Sequence, residues 1–230
     1  MTHGTTAGGT GGGTRVLVVG ATGAVGGLAA GMLADRGASV ALAGRDRPRL
    51  EELSGRTGGC PARSFDAYDL DACTELAPWA ARSLGGLDAV VVAVGVAGFG
   101  PAEDVPGAVA EHLMAVNALA PMAVARGALR ALGAESVLAV VTGAVVDGPV
   151  RGTADYTAAK SALAAWLGVV RREQRGRGIS VMDVRLPHLD TGFADRAVTG
   201  RPPALPPGLD AATEVERRLV APVLARREGR

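Results

Sequence analysis

The chain has 230 residues, 48% of them hydrophobic but only 3% aromatic, and a formal net charge of +1 at pH 7. That length fits one domain with a large core of Val, Leu and Ala. The near-neutral charge argues against nucleic acid or an acidic membrane surface as a partner. Two cysteines without CxxC spacing and three scattered histidines form no metal-site pattern and suit a reduced, cytoplasmic setting. The longest apolar stretch, around residues 87–97, is too short to span a bilayer.

Residues 1–13 are rich in Gly and Thr with nothing to bury and read as a disordered leader, leaving 14–230 as the domain. Residues 15–19, a continuous apolar run, predict a strand covered on both faces. Gly20-Ala21-Thr22-Gly23-Ala24-Val25-Gly26-Gly27 follows at once, ahead of a helix over 28–36. Strand, glycine turn and helix in that order suit a dinucleotide pyrophosphate. Gly20 permits the tight turn, Gly23 lets backbone approach a phosphate, and Gly26 lets the helix pack on the strand. Gly20, Thr22, Gly23, Ala24 and Val25 are therefore candidate cofactor contacts, beside the unpaired N–H groups of the helix start.

A second strand over 38–43 ends in Gly44-Arg45-Asp46-Arg47. After this strand a carboxylate reads a ribose 2′-hydroxyl and an arginine reads a 2′-phosphate. Gly44 followed by Arg45 favours NADP(H), and Asp46 reads as the cap of the next helix. Strand three covers 62–65, with Asp66 at its end placed for the adenine amino group, and a helix follows over 69–84. Strand four, 89–94, runs into Gly95-Val96-Ala97-Gly98, where Gly95 is a further cofactor candidate.

A long helix over 106–132 carries Asn117, the one asparagine of the chain. Asparagine suits a helix interior poorly, and two readings stay open. Either the amide is buried and satisfied by backbone, or it bends the helix and holds a water against Lys160. Strand five spans 136–142, a helix over 154–175 holds Tyr156 and Lys160, and strand six covers 179–185. Arg171-Arg172 and Arg175-Gly176-Arg177 read as a solvated helix end. Leu186-Pro187-His188-Leu189-Asp190-Thr191-Gly192 closes strand six. Residues 199–210 are a proline-rich connection, and Asp210 caps a last helix with Val215, Leu219 and Val223 on one face. This alternation predicts an α/β fold: one doubly wound parallel sheet with its ligand crevice at the carboxyl ends of the strands.

Lys160 is the one lysine among 24 basic residues. Arginine cannot replace a compact ammonium that must sit beside a hydroxyl and bond a sugar. Tyr156, four residues earlier, shares its helix face. Gly20-x-x-Gly23-x-x-Gly26, Asp66, Asn117, Tyr156-x-x-x-Lys160 and Pro187 with Thr191 together resemble a divergent member of the short-chain dehydrogenase/reductase family, over about residues 14–195. The resemblance implies NADP(H)-linked redox chemistry. Tyr156 would exchange a proton with the substrate oxygen as hydride moves between nicotinamide and substrate carbon. Lys160 and the oxidised cofactor ring would favour the phenolate. Lys160 would also bond the nicotinamide ribose, Asn117 would hold a relay water, and Pro187 and Thr191 would line the nicotinamide.

Three positions depart from the family pattern. Gly143 stands where a serine is usual, which makes Thr142 the candidate donor if the strand ends or slips by one residue. Val92-Ala93-Val94-Gly95 replaces Asn-Asn-Ala-Gly. Pro187-His188 replaces Pro-Gly, so His188 is either a packed loop residue or a donor to the substrate oxygen. No seventh-strand pattern follows, and a homodimer through the helices at 106–132 and 154–175 is expected. Residues 95–104, 144–153 and 188–208, with Phe99 and Phe193, would line a pocket for a small apolar carbonyl or alcohol. Three functions fit: an NADP(H)-dependent carbonyl reductase or dehydrogenase, a non-redox dehydratase, isomerase or cyclase, and a cofactor-binding regulatory protein.

Overall fold

A computed structural model describes residues 13–228, with side chains as far as Ala225, so the expected leader lies outside the described residues except for Gly13. Six parallel strands form one sheet in the order β3-β2-β1-β4-β5-β6: β1 Arg15–Val19, β2 Ser39–Gly44, β3 Ala62–Ser64, β4 Ala89–Val92, β5 Val137–Val141 and β6 Ser180–Val184. The register explains why these runs are apolar without alternation. Ala41, Leu17, Val90, Leu138 and Val181 form one row across the sheet, and Leu42, Val18, Val91 and Ala139 form the next. The first row packs into the core beneath α3 (Leu70–Leu84), α5 (Ala120–Ala131) and α6 (Ala154–Glu173). The second packs beneath α1 (Ala24–Asp35) and the last helix. Both faces are covered, so polar residues have no place in the central strands.

The helix α1 begins at Ala24, four residues before the sequence-based start. Gly23 is extended at φ −84° and ψ 165°, and Gly26-Gly27 is helical rather than part of the turn. Asp46 caps α2 (Arg47–Arg56) as expected, accepting from the Arg49 amide at 3.1 Å. The long helix runs over 107–131 as α4 (Gly107–Met114), a π-turn at Ala115–Leu119 and α5. Asn117 lies in that π-turn, so the helix departs from α geometry where its least suited residue sits. By length and composition 107–131 could cross a membrane. Here Ala118, Ala123, Val124, Ala125 and Ala128 bury it against the sheet.

The last helix, α7 (Ala211–Val215) running through a second π-turn at Glu216–Val220 into α8 (Ala221–Glu228), buries Val215, Leu219 and Val223. Strand order reverses between β1 and β4, and the crevice of such a sheet lies above that point.

Candidate functional site

The β1 side of the crevice is built from main chain. Gly20 adopts φ +87°, which glycine alone takes without strain, and a Cβ there would lie 2.5 Å from the Ala93 carbonyl oxygen at the end of β4. A Cβ on Gly26 would sit 2.2 Å from the Gly20 oxygen, so the helix start packs on the turn itself. The N-cap Gly23 brings no side-chain cap, and the first turn of α1 holds no acidic residue. The first amides of α1 are thus left to an anion, favoured by the helix dipole.

Thr22 packs on Gly44, where a Cβ would come within 2.8 Å of its methyl carbon. Arg45 is exposed, while the Asp46 carboxylate is engaged at the head of α2. Asp66 is exposed and accepts from the Tyr68 amide at 3.0 Å through one oxygen, leaving the other free for a ligand. These residues fit a phosphate-bearing dinucleotide.

Tyr156 and Lys160 lie one turn apart on α6. Lys160 is 3% exposed and its Nζ donates to the carbonyls of Val94 (3.4 Å) and Val141 (3.3 Å), at the ends of β4 and β5. An ammonium has three donors, so one remains for a ligand. Burial pulls Lys160 down to about pH 8, opposed by the charge of Asp183. Asn117 is fully buried; its Nδ2 donates to the Val96 carbonyl and its Oδ1 accepts from the Val96 amide, both at 3.0 Å. The first reading of Asn117 holds: the amide is satisfied by backbone, within a π-turn. The same clamp anchors the loop after β4 without the missing pair of asparagines. A Cβ on Gly95 would lie 2.9 Å from Asn117 Oδ1 and 3.0 Å from Lys160 Nζ, so glycine is needed for the three to meet.

The Tyr156 phenol is half-buried, and burial pushes it up to about 12. Desolvation is the cause of that shift, and it opposes the phenolate that Lys160 is expected to favour. Its ring lies 6.4 Å from that of Phe193, tilted by 49°.

Thr142 does not take the serine's part. Its hydroxyl, 1% exposed, donates to the Asp183 carboxylate on β6. β5 ends at Val141, yet the side chain is not freed: the Thr142 amide still donates to the Val184 carbonyl at 3.1 Å. Gly143 then turns away at φ +99°. Asp183 in turn accepts from Arg185 Nε (2.9 Å) and Nη2 (2.7 Å), and Arg185 reaches Asp147. An Asp-x-Arg within an otherwise apolar strand was the one available signal of this group, and periodicity alone does not single it out.

The connection after β6 closes over the crevice. Val198 donates to the Ala97 carbonyl (2.8 Å), Phe99 to that of Thr199 (3.0 Å) and Gly100 to that of Gly152 (2.9 Å). Phe99 is 6% exposed in a small cluster with Ala97 and Ala194, and so helps hold the two loops together. Phe193, 37% exposed, does stand at the site, against Tyr156. Pro187 and Thr191 are half-buried on this connection. The Thr191 amide donates to the Leu189 carbonyl (2.9 Å), and its own carbonyl accepts from Arg196 (3.0 Å). His188 is half-buried, its carbonyl accepting from Leu209 at 2.9 Å.

A doubly wound sheet with an uncapped helix start at its switch point, and a buried lysine one turn after a tyrosine beside it, defines a Rossmann-like class of protein. The family model for short chain dehydrogenase matches residues 14–201, and the chain belongs to that family. Solved structures agree. A putative short-chain oxidoreductase from Thermus thermophilus is 30% identical, with TM-score 0.76 over 89% of this chain and 93% of that one. A short chain dehydrogenase from Burkholderia cenocepacia, solved in complex with NADP, is 25% identical, with TM-score 0.79 over 92% and 90%. A dehydrogenase/reductase from Sinorhizobium meliloti is 25% identical, with TM-score 0.77 over 89% and 86%. No curated protein sequence matches the chain.

Proposed function

We propose that the chain is an NADP(H)-dependent carbonyl reductase with Tyr156 as its proton donor. The observation that carries this reading is the pairing on α6 of a half-buried, protonated phenol with the chain's one lysine, buried at the ends of β4 and β5. The phenol is protonated at neutral pH and can supply the proton that the substrate oxygen gains, with Lys160 and the bound cofactor left to bring its pKa down from about 12.

The cofactor, when bound, supplies the hydride. The chain's own residues do the rest. The amides at the start of α1 receive the pyrophosphate, and Arg45 receives the 2′-phosphate, in keeping with the NADP complex of the Burkholderia relative. Asp66 offers its free oxygen to the adenine. Gly95 keeps the floor open, Asn117 fixes the loop beneath it, and the third Lys160 donor is available to the ribose. Pro187 and Thr191 would flank the nicotinamide, and Phe193 stands beside Tyr156, its ring 6.4 Å away. Small apolar ketones or aldehydes fit this lining.

Purified chain should consume NADPH in the presence of such a carbonyl compound, read as loss of reduced-nicotinamide absorbance. A panel of ketones and aldehydes that leaves the absorbance unchanged overturns the reading. One observation favours a second function: with Gly143 in place of serine and Thr142 bound to Asp183, no hydroxyl from the end of β5 meets the reacting oxygen. A dehydratase, isomerase or cyclase would use Tyr156 as acid alone, and product formation without any absorbance change would select it.

The protein is further proposed to be cytoplasmic and a homodimer through 106–132 and 154–175. Leu119 (43% exposed) and Val169 (54% exposed) lie on these helices, and Arg126 spans them over Trp166 at 5.6 Å. Sedimentation at micromolar concentration would give twice the chain mass.

A further inference from the structure

A buried ammonium needs a partner charge or a dense set of acceptors. Lys160 has two carbonyl acceptors, both at long range, so its surroundings decide whether it holds its proton. From the helix side, Tyr156 is a neutral phenol and Asn117 a neutral amide clamped to Val96. From the sheet side, β4 and β5 present main-chain carbonyls. On β6, Asp183 and its partner Arg185 are the charged side chains of this neighbourhood, and the carboxylate opposes the effect of burial on the ammonium.

Strand geometry explains the approach. Asp183 pairs with Val140, beside the Val141 whose carbonyl accepts from Lys160. Asp183 also shares a strand face with Val181. Val181 is buried in one core cluster with Leu163, Leu167 and Val170 of α6, so Asp183 stands above them on the side of Lys160. It is also firmly held. Thr142 donates to one oxygen, and Arg185 donates twice to the other while reaching Asp147. Arg171 of α6 covers the neighbouring edge, donating to the Val181 carbonyl at 2.8 Å.

We propose that Asp183 is a positioning residue for Lys160: its carboxylate, fixed by Thr142 and Arg185, is the negative charge that keeps the buried ammonium protonated for the cofactor ribose. The hydroxyl that no longer serves the substrate oxygen thus serves the lysine instead. This inference rests on the reading above that Lys160 binds the cofactor.

Because the chain has one lysine, carbon-13 labelling of lysine Cε gives a single side-chain resonance, and Lys160 can be titrated directly in the full chain without turnover. The wild type should titrate with a midpoint near 8. Asp183→Asn should lower that midpoint by about one pH unit or more, and Asp183→Glu should restore most of it. Arg185→Gln, which removes the competing guanidinium, should move it the opposite way, upward. NADPH affinity of Asp183→Asn should fall at a lower pH than that of the wild type. A folded Asp183→Asn variant with the wild-type midpoint overturns the proposal. So does an Arg185→Gln midpoint that stays or falls, and this second variant decides alone if Asp183→Asn does not fold. A shifted midpoint in a chain that reduces no carbonyl would sink the reductase reading and keep the Asp183–Lys160 pair. An active chain with an unshifted midpoint would do the reverse.

Discussion

At the β1 end of the crevice the candidate contacts are main chain: the Gly20 turn, the bare start of α1 and the Gly26 contact with the turn. At the β5 end the candidate contacts are side chains, and there the arrangement departs from the one that the family resemblance implies. Gly143 occupies the serine position, Thr142 turns to Asp183, and Asp183, Arg185 and Asp147 tie β6 to the loop after β5. A main-chain site tolerates drift in the surrounding side chains, because only φ, space and free amides must be kept. A side-chain site changes its chemistry with one substitution.

The comparison is sharpened most by Lys160→Met. In the folded chain Lys160 gives up its proton near pH 8, whereas an unfolded lysine holds it to about 10.4. Between those values the unfolded state binds more protons, so the wild type gains stability as pH rises through the window. Below pH 8 the buried charge opposes folding in full. Lys160→Met should therefore be more stable than wild type at pH 7, by about 3 kcal/mol, with the difference gone above about pH 10.5. Thermal melts across that range measure it, and a destabilised Lys160→Met at pH 7 would show that the ammonium is better solvated than its burial indicates.

The next effect lies at the other end. Arg45→Ala should weaken NADPH binding about tenfold and leave NADH binding unchanged, as expected for one charge-assisted contact to a 2′-phosphate. Fluorescence titration with both nucleotides reads it, and equal loss for both would remove the 2′-phosphate role. The smallest effect separates backbone from side chain at one position. Gly143→Ser has room, since the nearest atom to a Cβ is 3.9 Å away, but φ is +99°. It should cost on the order of 1 kcal/mol in denaturant unfolding and leave turnover no higher than wild type. A gain in turnover would mean that the serine position is still usable.

Legibility followed the same division. The strands, the order of elements and the glycine turn could be read from apolar runs and turn residues, since a sheet covered on both faces leaves no other pattern. The start of α1 was misplaced because Gly26 and Gly27 look like turn residues, although close packing puts them in the helix. The fate of Thr142 could not be read. It depends on Asp183, 41 residues away, arriving at the same level of the next strand. The burial of Phe99 was illegible for a similar reason, because it comes from pairing with 198–199, far along the chain. Asn117 was legible as an anomaly, but its grip on Val96 was not.

The account turns on the proton held by Tyr156. Its most direct test is Tyr156→Phe, with NADPH consumption on an accepted carbonyl compound and NADPH affinity measured on the same preparation. Loss of the proton donor should cut turnover by about 100-fold or more while NADPH affinity stays within about threefold of wild type. Turnover that persists at the wild-type rate with the phenol gone would contradict it.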